Sequence, residues 1–193
     1  MPDRDLVGRR VIGIAGSLRS GSYNRALLRA AIELSGPDMT IGIFDLGDIP
    51  LYSYDIEQRG DPGPVQRFKH AVSDADGMLI ATPEYQQGVP GMLKNALDWA
   101  SRPPGRSVLQ EKPVAIMGAS PAVTGTARAQ TQLRQSLTYN NCGTLTRPEL
   151  LVGRAHEKFD ANGRLIDEAT RKAVSDLLAA FHDWMNHTAS LTR

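Results

Sequence analysis

The chain has a single cysteine, Cys142, among its 193 residues. An intrachain disulfide is therefore excluded, and a cysteine metal cluster has no basis. No run of about 18 apolar residues occurs, so no segment suits a membrane span. The opening stretch MPDRDLVGRR is charged and lacks the apolar core of a secretion signal. Neither charge sign dominates: 22 basic against 21 acidic residues leave a formal net charge of +1. Such balance gives no electrostatic reason to expect nucleic acid or an anionic membrane as partner. The expectation is a cytoplasmic protein that binds neither. Internal repeats, linkers and low-complexity tracts are also missing. The length fits one domain, residues 1–193, able to bury a core without disulfides or structural metal.

What is present is an alternation of two kinds of apolar pattern. Short runs without polar alternation stand at 10–15 (RVIGIA), 39–44 (MTIGIF), 77–81 (GMLIA) and 113–117 (PVAIM). They suit strands buried on both faces. A weaker run spans 144–151, where Pro148 demotes the second half. Between them, helical spacing predicts helices over 24–34, 63–73, 90–100, 126–137 and 167–184. Asp167 is the expected cap of the last one. Two stretches, 45–62 and 153–163, are rich in Gly, Asp or Pro and read as surface loops.

The order is β-α, five times. Parallel strands need crossovers, and helices supply them on both faces. The expected architecture is α/β: a doubly wound five-stranded parallel sheet, order 2-1-3-4-5. Ligands in such sheets bind beyond the carboxyl ends of the strands, at the switch point. The loops after strands one, three and four are thus the places to search.

The first loop, 16–24, reads GSLRSGSYN and runs into a helix. Glycines let backbone amides approach a ligand. Serine and asparagine side chains add neutral donors, and the helix head adds unsatisfied N–H groups. Arg19 supplies the formal charge. This set suits a terminal phosphate monoester, although Ser22 or Asn24 would also serve as a plain helix cap. Neither G-x-x-x-x-G-K-S/T nor G-x-G-x-x-G occurs, so a mononucleotide phosphate fits better than a nucleoside triphosphate or a dinucleotide. The second loop, TPEYQQGVPG at 82–91, is stiffened by Pro83 and Pro90. Its backbone amides suit the edge of a flat heterocycle, with Tyr85 as an apolar wall. In the helix that follows, Leu97 and Trp99 read as core, and Lys94 and Asp98 as an i,i+4 pair.

With both loops in view, the chain resembles the NADPH-dependent FMN reductase family. Gly16-Ser17-Leu18-Arg19 with Ser22 and Asn24 is similar to its phosphate loop. Pro83-Glu84-Tyr85, then Pro90-Gly91, Leu93-Lys94-Asn95, Asp98-Trp99 and Ser101-Arg102-Pro103, is similar to its flavin loop and the helix behind it. Ser120, with Gly125-Thr126-Ala127-Arg128 and Leu133-Arg134-Gln135, is similar to its third loop and helix. One departure is that Gln86, Gln87 and Gly88 stand where the family commonly has Asn, an aromatic residue and Ser or Gly. The resemblance implies a flavodoxin-like fold and FMN as cofactor, with NADPH or NADH as co-substrate. The acceptor would be a small molecule: a quinone, azo compound, chromate or free flavin. It also implies a homodimer or homotetramer. The cofactor-binding residues it implies are Ser17, Arg19, Ser22, Tyr23, Asn24, Pro83, Glu84, Tyr85, Gln86, Gln87, Gly88 and Ser120. No side chain is assigned as catalytic acid or base, and no metal ligand is assigned, since the cofactor carries the chemistry. Two rivals stand beside this reading. A hydrolase would use Ser17 or Ser120 with one of His70, His156, His182 and His187, but no G-x-S-x-G elbow surrounds either serine. A flavodoxin-like electron carrier would bind FMN without oxidising a nicotinamide. Cys142 reads as a small buried residue rather than a redox centre.

Overall fold

The computed structural model describes residues 8–191. Strands β1 (Arg9–Ala15), β2 (Met39–Phe44), β3 (Gly77–Ala81) and β4 (Pro113–Ala119) fall where the apolar runs predict them. So do helices α1 (Tyr23–Leu34), α3 (Gly63–Asp74), α4 (Gly91–Ala100) and α5 (Ala127–Thr138). The last helix, α6 (Glu168–Leu191), runs further than its apolar stripe suggests. Asp167 caps it as expected, its carboxylate accepting the Thr170 N–H at 2.8 Å. Two short elements lie inside the stretches read as loops: α2 (Tyr54–Glu57) and a 3-10 turn (Ala155–Glu157).

All strand pairings are parallel, in the order β2-β1-β3-β4-β5. The fifth edge position differs from the expected single strand over 144–151. It is split into β5 (Gly143–Thr144) beside the start of β4 and β6 (Leu150–Val152) beside its end. Pro148 lies between them and has no N–H to give to a ladder.

Successive residues of each central strand enter opposite layers. Val11 and Ala15 face the side covered by α1 and α6, together with Leu79 and Met117. Ile12, Ile14, Ile80 and Ile116 face the side covered by α3, α4 and α5. Both faces are therefore dry, which is why these strands read as unbroken apolar runs. Helix α1 contributes Leu27 and Leu28, both fully buried, whereas Ile32, four residues after Leu28, is half-exposed. Along α6, Val174, Leu178 and Met185 join Leu177 and Phe181 in the core, while Ala173 and Trp184 are only partly buried. Leu97 and Trp99 are buried as expected, and Lys94 pairs with Asp98 at 2.5 Å.

Cys142 packs against the second layer, and its Sγ–H donates to the Leu109 carbonyl at 3.2 Å. Burial pushes its thiol pKa up to about 12. At pH 8 the folded thiol is thus almost wholly protonated, whereas a free cysteine is about a quarter thiolate. Native protein should react with a thiol-specific disulfide reagent at least about 100-fold more slowly than denaturant-unfolded protein. Equal rates would mean an open thiol. Above about pH 8.5 the unfolded chain releases this proton while the folded chain keeps it, so this group erodes stability as pH rises.

Candidate active site at the carboxyl edge of the sheet

Loops one (16–22), two (82–90) and three (120–126) leave the same edge of the sheet. Each is pinned at its first residue to a neighbouring strand. The Gly16 N–H donates to Ala81, that of Thr82 to Met117 and that of Ser120 to Val152, all at 2.9 Å. Side chains then tie the loops together. The Tyr85 hydroxyl donates to Ser17 Oγ at 3.0 Å, joining loop two to loop one. Asn24 sits in the first turn of α1, and its side chain makes two bonds with Ala119 at the end of β4. Its amide donates to the Ala119 carbonyl and its Oδ1 accepts the Ala119 N–H, both at 2.9 Å.

In loop one, Ser17, Ser22 and Asn24 are all buried. Ser22 caps α1 by accepting the Arg25 N–H at 3.4 Å. The Arg19 N–H donates to Ser17 Oγ at 3.4 Å, and its guanidinium lies over the Tyr23 ring, 5.8 Å from the centroid. Tyr23 in turn packs on Phe159 with ring centroids 5.4 Å apart. Arg19 has no carboxylate partner among the described residues, whereas Arg25 is paired with Asp45 at 2.8 Å. The loop thus offers the hydroxyls of Ser17, Ser20 and Ser22, an unshared guanidinium and the N–H groups at the head of α1. Every one of these groups can donate, and none bears a negative charge. That chemistry fits a phosphate monoester. Asn24 differs from its expected role, because its side chain serves as a peg between α1 and β4.

Loop two forms a tight turn. Tyr85 and Gly88 exchange both backbone bonds, at 3.1 and 3.0 Å, and Gln86 and Gln87 occupy the left-handed region with φ of 47° and 62°. These are the positions that a hairpin turn usually gives to Asn and Gly. The N–H groups of Gln86 and Gln87 make no hydrogen bond among the described residues, and both residues are exposed. Pro83 is buried beside Gly16, where a Cβ would stand 2.9 Å from its ring. Glu84 turns the other way: its carboxylate accepts the Arg128 and Ala129 N–H groups at 2.9 and 3.2 Å, capping α5. The Val89 N–H donates to Gln132 of α5 at 2.7 Å. Sequence reasoning missed Gln132, which lies among other polar helix residues and carries no local signal.

In loop three, Ser120 shapes its own turn, its Oγ accepting the Ala122 N–H at 3.2 Å. Neither Ser17 nor Ser120 has a histidine among its partners in the described residues, so nothing assembles a hydrolase triad. A cleft of about 700 Å³ lies elsewhere, between α4 and α5, with Tyr52, Arg102 and Tyr139 among its lining. None of the expected site residues lines it. The switch-point loops, where strand ends, helix heads and free donors coincide, are the better candidate.

Two substitutions check this geometry. Asn24→Ala strands a buried N–H and a buried carbonyl at Ala119 and should lower stability by about 2–4 kcal/mol in denaturant unfolding. A loss under about 0.5 kcal/mol would contradict the peg. Gln87→Gly relieves a left-handed side chain and should raise stability by about 0.5–1 kcal/mol, whereas a loss would mean the turn is not strained there.

The chain matches the family model for NADPH-dependent FMN reductase over residues 9–157. It is 47% identical over 176 residues to an NAD(P)H-dependent FMN reductase of Pseudomonas aeruginosa, covering 91% of this chain and 95% of that one. A 2-hydroxy-1,4-benzoquinone reductase from a Burkholderia species is 40% identical over 176 residues, with coverage of 91% and 96%. The solved flavoenzyme NAD(P)H:(acceptor) oxidoreductase from Paracoccus denitrificans superposes with a TM-score of 0.86 at 35% identity, covering 93% and 98% of the two chains. The chain belongs to the NADPH-dependent FMN reductase family and is a flavoprotein oxidoreductase that uses NAD(P)H.

Proposed function

We propose that loop one holds the FMN phosphate through Ser17, Arg19, Ser22 and the backbone of Tyr23 at the head of α1. Asn24 keeps that head in place. Loop two frames the flavin ring with Pro83, Tyr85 and the backbone of Gln86, Gln87 and Gly88. Glu84 and Ser120 fix the loops on either side. The observation that carries this reading is the set of loop-one groups that can all donate and carry no negative charge, joined through the Tyr85–Ser17 bond to the free amides of Gln86 and Gln87. FMN, when bound at these loops, would supply the redox chemistry between NADPH or NADH and an acceptor.

The protein's part is binding and electrostatics. The head of α4 begins at Gly91, directly after loop two, and brings the positive end of a helix dipole to this rim. Together with the amides of the turn it favours negative charge, as reduced flavin carries. No side chain at these loops is needed as acid or base. The acceptor we favour is a quinone, since relatives from Burkholderia and Escherichia coli are named as quinone reductases. Azo compounds, chromate and free flavin are further acceptors to test.

The same reading takes the chain as one FMN-binding domain over residues 1–193. It takes the protein as cytoplasmic, and no helix among the described residues is long and apolar enough to cross a membrane. It associates as a homodimer or homotetramer, for which the exposed Leu51, Tyr54 and Tyr139 leave apolar surface available.

Arg19→Ala and Ser22→Ala should each weaken FMN binding about tenfold or more, read by quenching of flavin fluorescence, with folding checked by circular dichroism. Unchanged affinity in both variants would remove the phosphate assignment. Steady-state kinetics with NADH and NADPH against a quinone, an azo dye, chromate and free flavin should show turnover. A protein that binds FMN and is reduced by neither nicotinamide would be an electron carrier instead.

A further inference from the structure

The turn that presents the free amides is one that its own sequence disfavours. Two consecutive side-chain-bearing residues, Gln86 and Gln87, sit in the left-handed region, a conformation that costs most residues energy. Something outside the turn must hold it, and α5 does so at both ends. At the entrance, the Glu84 carboxylate accepts the first-turn amides of Arg128 and Ala129, and the Arg128 guanidinium adds a contact at 3.3 Å. At the exit, Gln132 Oε1 accepts the Val89 N–H at 2.7 Å. Residues 128 and 132 stand one helical turn apart, on the same face of α5.

The residue beside this second anchor is adapted to it. A Cβ on Gly88 would stand 2.6 Å from Gln132 Oε1. That separation is inside van der Waals contact, so glycine is what lets the helix side chain reach the backbone. The Gln132 bond spans 43 residues of sequence and is the side-chain anchor on the exit of the turn.

We propose that Gln132 is a positioning residue for the flavin. Its side-chain carbonyl fixes the exit of the turn and so preorganises the Gln86 and Gln87 amides for the ring. This rests on the reading that loop two frames the flavin. Because α5 follows directly on loop three, the same clamp couples loops two and three. The requirement at position 132 is an acceptor of this length, not an amide as such.

Two variants separate that requirement from bulk. Gln132→Met keeps length and helix propensity but loses the acceptor, and Gln132→Glu keeps the acceptor. Amide hydrogen exchange of the flavin-free protein reads the anchor directly: Val89 should lose about tenfold or more of its protection in the Met variant and retain it in the Glu variant. In the flavin-loaded proteins, the Met variant should bind FMN about tenfold more weakly and have a more negative flavin midpoint potential. The Glu variant should bind FMN within about threefold of the parent. Parental exchange, affinity and potential in the Met variant would overturn the proposal, as would a Glu variant no better than Met. If Val89 exchange responds as expected but affinity and potential do not, the clamp exists without serving the flavin, and the positioning role fails. Failure of the parent protein itself to bind FMN would instead strike the reading of the site.

Discussion

The reciprocal pair of hydrogen bonds between Asn24 and Ala119 is the constraint from which the site's layout follows. Strand β1 ends at Ala15, β3 is its neighbour in the sheet, and β4 lies one strand further. By fastening the first turn of α1 to the end of β4, Asn24 obliges the intervening loop to cross the end of β3, where loop two departs. Ser17 then meets Tyr85. Both bonds are buried, and loss of the side chain would leave two backbone groups dry and unpaired. A polar residue in that position is thus worth more to the fold as a peg than any single exposed contact in the loop.

The electrostatic character of the rim has a simple origin. Two acids close to the loops already have partners: Glu84 on the head of α5, Asp45 on Arg25 and on the Gly47 N–H. The Gly47 N–H and the Arg25 guanidinium hold the Asp45 carboxyl below its ordinary range, against a smaller opposing effect of burial. Within loops one and two, what is left to meet a ligand is positive or neutral: Arg19, the serine hydroxyls and the amides at the head of α1 and in the loop-two turn. The proposed selectivity for an anion rests on Glu84 and Asp45 having other partners, and it requires no dense cluster of cations.

The periodic features of this molecule were legible. Runs such as RVIGIA and GMLIA, dry on both faces, betray parallel strands, and the β-α alternation leads to the order 2-1-3-4-5. Loop one was legible by density of donors. The split of the last edge position into β5 and β6 was only half visible, through Pro148. The elements that escaped are bonds between a side chain and a distant backbone: Asn24 to Ala119 across 95 residues, Glu84 to Arg128 across 44, and Gln132 to Val89 across 43. Such bonds leave no spacing to read. Asn24 and Glu84 stood out as site residues for their chemistry, yet their carboxamide and carboxylate face the scaffold. Ser22, by contrast, caps its helix as serines at that position do.

The most direct measurement of the central claim, that loop one grips a phosphate, compares the affinities of the unmodified protein for FMN and for riboflavin, which share the ring and differ in the phosphate. Charge-assisted hydrogen bonds contribute about 1.5–3 kcal/mol each, so FMN should bind at least about 100-fold more tightly, and the gap should narrow as salt is raised. Equal affinity for the two, at any ionic strength, would contradict the account.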